Sequence, residues 1–124
     1  MTQVLCIEDE PEMIGLLRLL LRRRGLEVVG ARGGKEGLAV VEQTPPDLIL
    51  LDIMMPEMDG WEVYSRLKQN AKSQHIPVIV VTARIQTPEK VAALRETGVD
   101  DYITKPFEPA KLLQTIERAL DRRQ

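Results

Sequence analysis

A chain of 124 residues and 14.0 kDa has room for one ordinary domain and not for two. Its 44% hydrophobic and 29% charged residues are those of a soluble globular protein, and the single cysteine, Cys6, excludes an internal disulfide and a cysteine-based zinc site. Seventeen Lys and Arg against nineteen Asp and Glu leave a net charge of −2, which gives no reason for nucleic acid or an anionic membrane as an obligatory partner. No apolar stretch approaches a membrane span and no basic-then-apolar leader opens the chain, so the expectation is a cytoplasmic single domain over residues 1–124.

Strand-length apolar runs alternate with helix-period segments five times. A strand over residues 4–7 (VLCI) is followed by a helix over 12–24, opened by Pro11 and closed by Gly25. A strand over 27–31 leads to a helix over 35–43, and a strand over 47–51 leads to a helix over 60–70. The fourth strand covers 78–81 (VIVV) and precedes a helix over 89–96, bounded by Pro88 and Gly98. The last strand, 101–104, precedes a helix over 110–123 that starts after Pro109. Continuously apolar strands suit the centre of a parallel sheet covered on both faces, and the alternation predicts a doubly wound α/β fold.

In such a sheet ligands bind beyond the carboxyl ends of the strands. The first strand is followed there by Glu8, Asp9 and Glu10, the third by Asp52, the fourth by Thr82 and the fifth by Lys105. At about 5 Å and an effective dielectric near 20, each carboxylate pair costs on the order of 3 kcal/mol. Lys105 supplies one compensating charge, and a hard divalent cation supplies two. With no His and no Cys in the set, Mg²⁺ fits the donors. A cation, a lysine and a threonine hydroxyl around one aspartate form a setting for a phosphoryl group, with Asp52 as candidate acceptor.

The chain resembles the receiver domain of bacterial two-component response regulators over nearly its whole length. The residues that carry the resemblance are VLCIEDEP, LLDIMMPEMDG around Asp52, VVTA, and DYITKPF containing Lys105. The resemblance implies a flavodoxin-like (βα)5 fold of strand order 2-1-3-4-5. It implies Mg²⁺ held by Glu8, Asp9, Asp52 and the Met54 carbonyl, and phosphoryl transfer to Asp52 from a histidine kinase or histidine phosphotransfer protein. Lys105 and Thr82 would contact the phosphoryl oxygens, and Lys105–Pro106 would be a cis peptide bond. Thr82 and Tyr102 would form a switch remodelling the face of the fourth helix, fifth strand and fifth helix for a downstream effector, with a homodimer on phosphorylation as an option. Glu8 stands where Asp is common in the family, and Met54 and Arg84 occupy the positions that tune loss of the phosphoryl group.

Other residues have plainer expectations. Glu10 and His75 are solvated loop residues, Cys6 a small core hydrophobe, and Trp61 a packing residue. In the first helix the apolar arc is wider than a core stripe needs, and Leu16 and Leu19 lie on its margin beside Arg23, an expected docking surface for a kinase or another protomer. A metal-dependent aspartyl phosphatase is the enzyme rival, weakened by Met54 where such enzymes carry a general acid. A flavin carrier is excluded by Glu8–Asp9–Glu10 where its phosphate loop belongs, and a dinucleotide module by the absence of G-x-G-x-x-G. The expectation is therefore a non-enzymatic switch, complete in itself or the receiver part of a longer transcription factor.

Overall fold

The computed structural model describes residues 1–55, 59–83 and 87–123; residues 56–58 of the Asp52 motif, Arg84 and Gln124 lie outside them. Five strands, β1 (Thr2–Ile7), β2 (Leu26–Ala31), β3 (Leu48–Asp52), β4 (Val78–Ala83) and β5 (Asp101–Lys105), form one parallel sheet in the order β2-β1-β3-β4-β5. Between and after them run α1 (Pro11–Arg22), α2 (Gly34–Gln43), α3 (Gly60–Gln69), α4 (Pro88–Glu96) and α5 (Pro109–Arg123). The expected fold and strand order are those observed.

Successive side chains of a strand face opposite sides of the sheet, so a covered central strand must be apolar at every position. Val4, Cys6, Leu48, Leu50 and Ile79 pack with α1 and α5 through Ile14, Leu17, Leu112 and Ile116. Leu5, Ile7, Ile49, Leu51, Val78 and Val80 pack on the other face with α2, α3 and α4 through Val41, Val63, Leu67 and Leu94. Every residue of β3 is buried, Asp52 included.

Element boundaries differ from the expected ones by one or two residues. β1 begins at Thr2 because Thr2 and Gln3 pair with Leu26 and Glu27, a lateral ladder that their polar side chains do not advertise. α1 stops at Arg22, where the chain turns into Gly25 at φ 74°. Gly60 opens α3 against the exit of β3: a Cβ there would stand 2.3 Å from the Ile53 Cα, so only glycine lets α3 start this close to Asp52.

Candidate functional site

β1 and β3 are neighbours whose connections leave in opposite directions, which opens a crevice at their carboxyl ends. The register pairs Ile7 with Leu51, so the next residues, Glu8 and Asp52, emerge side by side. Both are almost fully buried, at 2% and 3% exposure. Lys105 leaves the end of β5 and reaches across β4 to both of them. Its Nζ lies 2.8 Å from Glu8 Oε1 and 3.2 Å from Asp52 Oδ2. The other Asp52 oxygen, Oδ1, accepts the Met54 N–H at 2.8 Å, which fixes the carboxylate in the turn after β3. Beneath the three charges lie Cys6, Leu17, Leu50, Phe107 and Leu112, an apolar floor that strengthens their fields.

The charges respond to this confinement. Burial, then the hydrogen bond and charge of Asp52, push the Glu8 carboxyl up to about 7, against the pull of Lys105. Burial works against the Lys105 ammonium, but its hydrogen bonds to Glu8 and Asp52 and their charges outweigh it and hold it above the ordinary value. Burial is also the main reason that the Cys6 thiol stands at about 12.

Asp9 is half-buried, and one carboxylate oxygen from each of Glu8, Asp9 and Glu10 falls within 4.8 Å of the others. Every donor is oxygen, the set that a hard cation such as Mg²⁺ takes. Glu8, Asp9, Glu10 and Asp52 against Lys105 alone leave a formal deficit of positive charge that a divalent cation would reduce. The residues present therefore fit the metal. Glu10 is exposed, as expected of a solvated residue, and its Oε1 also lies 3.9 Å from Lys105 Nζ. Its backbone caps α1, and that short turn swings it back over the rim.

Thr82 is half-buried near the end of β4, one residue beyond Val81, the neighbour of Asp52, and opposite Thr104. Among the described residues no hydrogen bond joins its hydroxyl to Asp52 or Lys105. Tyr102 is half-buried on β5, against the α2–α3–α4 core, and borders a groove with Arg95, Lys111 and Arg118 between α4 and α5. The Lys105–Pro106 peptide bond is cis. His75 is exposed and Trp61 packs edge-on against Tyr64 at 5.9 Å.

No helix among the described residues is long and apolar enough to cross a membrane. The family model described as the response regulator receiver domain matches residues 4–117. Protein PilH of Pseudomonas aeruginosa is 37% identical over 120 residues, covering 97% of this chain and 98% of PilH. The DNA-binding dual master transcriptional regulator RpaA of Synechocystis is 39% identical over 123 residues, covering 99% of this chain but 50% of RpaA. The chain thus spans about half the length of some curated relatives and nearly all of others. Among solved structures, chemotaxis protein CheY4 of Vibrio cholerae superposes with a TM-score of 0.85 at 29% identity, over 96% of this chain and 98% of that one. Buried acids at the switch point of a 2-1-3-4-5 sheet, the motifs around them and these matches agree: the chain belongs to the family of response regulator receiver domains of two-component signalling.

Proposed function

We propose that the chain is a phosphorylation-activated switch in which Asp52 accepts a phosphoryl group from a phosphohistidine. The observation that carries this reading is the Lys105 ammonium held between Glu8 and Asp52, 2.8 and 3.2 Å away, in a buried acidic rim. An Asp52 carboxylate oxygen forms the new bond to phosphorus as the phosphorus–nitrogen bond breaks. The imidazole nitrogen leaves with the electron pair and takes up a proton. Lys105 turns from Glu8 toward the incoming phosphoryl oxygens, and the Thr82 hydroxyl donates to one of them. Glu8, Asp9, Asp52 and the Met54 carbonyl would hold Mg²⁺, which supplies positive charge to the carboxylate and phosphoryl oxygens. Hydrolysis of the aspartyl phosphate resets the switch, so the chemistry is directed at the domain itself and not at an external substrate.

Withdrawal of Thr82 toward the phosphoryl group frees space for Tyr102, and the face of α4, β5 and α5 changes shape for a downstream effector. The family implies histidine kinases and effectors as partners; the particular donor here is a histidine kinase or a phosphotransfer protein in the cytoplasm. The match over 98% of PilH supports a receiver domain that occupies nearly all of residues 1–124. The half-length match to RpaA supports the second reading, a receiver within a longer regulator, which would bind DNA through other residues.

Intact mass after incubation with phosphoramidate tests the acceptor. The expected result is one phosphoryl adduct that needs Mg²⁺ and is absent from Asp52→Asn. An adduct of equal yield in the variant would overturn the assignment.

A further inference from the structure

The solvent face of α1 is not that of an ordinary surface helix. Ile14, Leu17 and Leu21 face the core, and opposite them run Glu12, Leu16, Leu19 and Arg23 in one line. Leu16 and Leu19 therefore stand near the centre of the exposed face and not on the margin of the buried one. They are 44% and 56% exposed; among the described residues the other large apolar side chains this exposed are Met1 at the terminus and Met54 beside the acidic rim. The spacing of the line is four, three and four residues, that of a coiled-coil seam. Arg23 is the C-cap of α1 and keeps right-handed helical angles, so the seam runs through it.

The line reads the same way from both ends. When two copies of α1 are laid antiparallel about a two-fold axis between positions 17 and 18, Leu16 meets Leu19 of the second copy. Glu12 then meets Arg23 of the second copy, and each contact occurs twice, as an isologous interface requires. No carboxylate of the same chain pairs with Arg23 among the described residues, and none of its cations pairs with Glu12. Gly15, on the flank of the line, adds a second observation. Glycine is among the poorest helix formers, yet a Cβ there would meet nothing within 4 Å, so its own chain gives no packing reason for it. A second helix lying along the line does give one, since a small residue lets two backbones approach.

We propose that this face of α1 is a homodimer seam, occupied by α1 of a second copy running antiparallel. It requires no phosphoryl group. A helix of 12 residues is about 18 Å long, which makes the contact a small one. The dimer is correspondingly weak, with a dissociation constant on the order of 100 μM.

Sedimentation equilibrium of the full chain from about 10 μM to about 1 mM, dephosphorylated and without Mg²⁺, reads the mass directly. The wild type is expected to rise from 14.0 kDa toward twice that value, and Leu19→Glu to remain a monomer. Glu12→Lys and Arg23→Glu alone should each weaken the dimer about tenfold, and the double variant should restore it, because its two pairs are again of opposite charge. All four positions are exposed, and far-UV circular dichroism confirms that each variant is folded. A wild type that stays at 14.0 kDa throughout overturns the proposal and leaves the face to another protein. A dimer that survives Leu19→Glu, or a double reversal that fails to recover association, overturns it as well.

Discussion

The two ends of the sheet use the same residue type in opposite ways. At the amino end, Asp47 and Asp100 each precede a strand and clamp the start of its neighbour. Asp47 accepts the Gln3 N–H at 2.8 Å and donates its own N–H to the Gln3 carbonyl at 2.9 Å. Asp100 does the same to Val78, at 2.7 and 3.2 Å. Each of these carboxylates is met by a backbone N–H, and Asp100 Oδ2 also lies 4.0 Å from Lys68 Nζ. At the carboxyl end Glu8 and Asp52 have one backbone N–H each, from Glu10 and Met54, and otherwise share one ammonium. A carboxylate answered by the backbone is structural. Buried carboxylates crowded around one ammonium are the imbalance on which the proposed cation and phosphoryl chemistry rests.

The largest expected effect comes from removing the shared ammonium. Lys105→Met leaves two buried carboxylates without their counter-charge and should cost about 3 kcal/mol in urea unfolding. The same change should tighten Mg²⁺ binding, since a competing positive charge is gone, while lowering phosphoryl yield. Loss of Mg²⁺ affinity would break the comparison. Gly60→Ala separates geometry from charge at the same end: its methyl group meets the Ile53 backbone, and about 2 kcal/mol of stability should go with it. At the other end, Asp47→Ala and Asp100→Ala should each cost roughly 1 kcal/mol and leave Mg²⁺ affinity unchanged in calorimetric titration. The smallest effect is a null one. Cys6, 2% exposed and with its thiol raised to about 12, should resist alkylation at about pH 8 until the chain unfolds.

Much of the fold is legible in the sequence because its signals are local. The runs VLCI, LILL and VIVV are apolar at every position, and the helix limits are written as Pro11, Pro88, Pro109, Gly25 and Gly98. The rim is legible because the fold rule makes strand ends special and because Glu8, Asp9, Asp52 and Lys105 are among the charges found there. Features set by lateral register are not. Nothing in TQ marks the start of β1, and nothing in Asp47 or Asp100 reveals which backbone each will clamp. Glu10 is solvated as its sequence position suggests, but its approach to Lys105 is a tertiary outcome. Leu16 and Leu19 read as marginal because the centre of the buried arc is fixed only when α1 settles on β1 and β2.

Thermal melting of the wild type and Asp52→Asn, each in chelator and in excess Mg²⁺, tests the charge deficit most directly. The wild type should be the less stable of the two in chelator, by about 1–2 kcal/mol, because the uncharged amide would keep the Met54 hydrogen bond and relieve repulsion from Glu8 by more than the weakened Lys105 contact costs. Mg²⁺ should raise the wild-type melting temperature and move the variant little. A wild type indifferent to Mg²⁺, with Asp52→Asn the weaker protein in chelator, would mean that the rim is already balanced and would contradict the account.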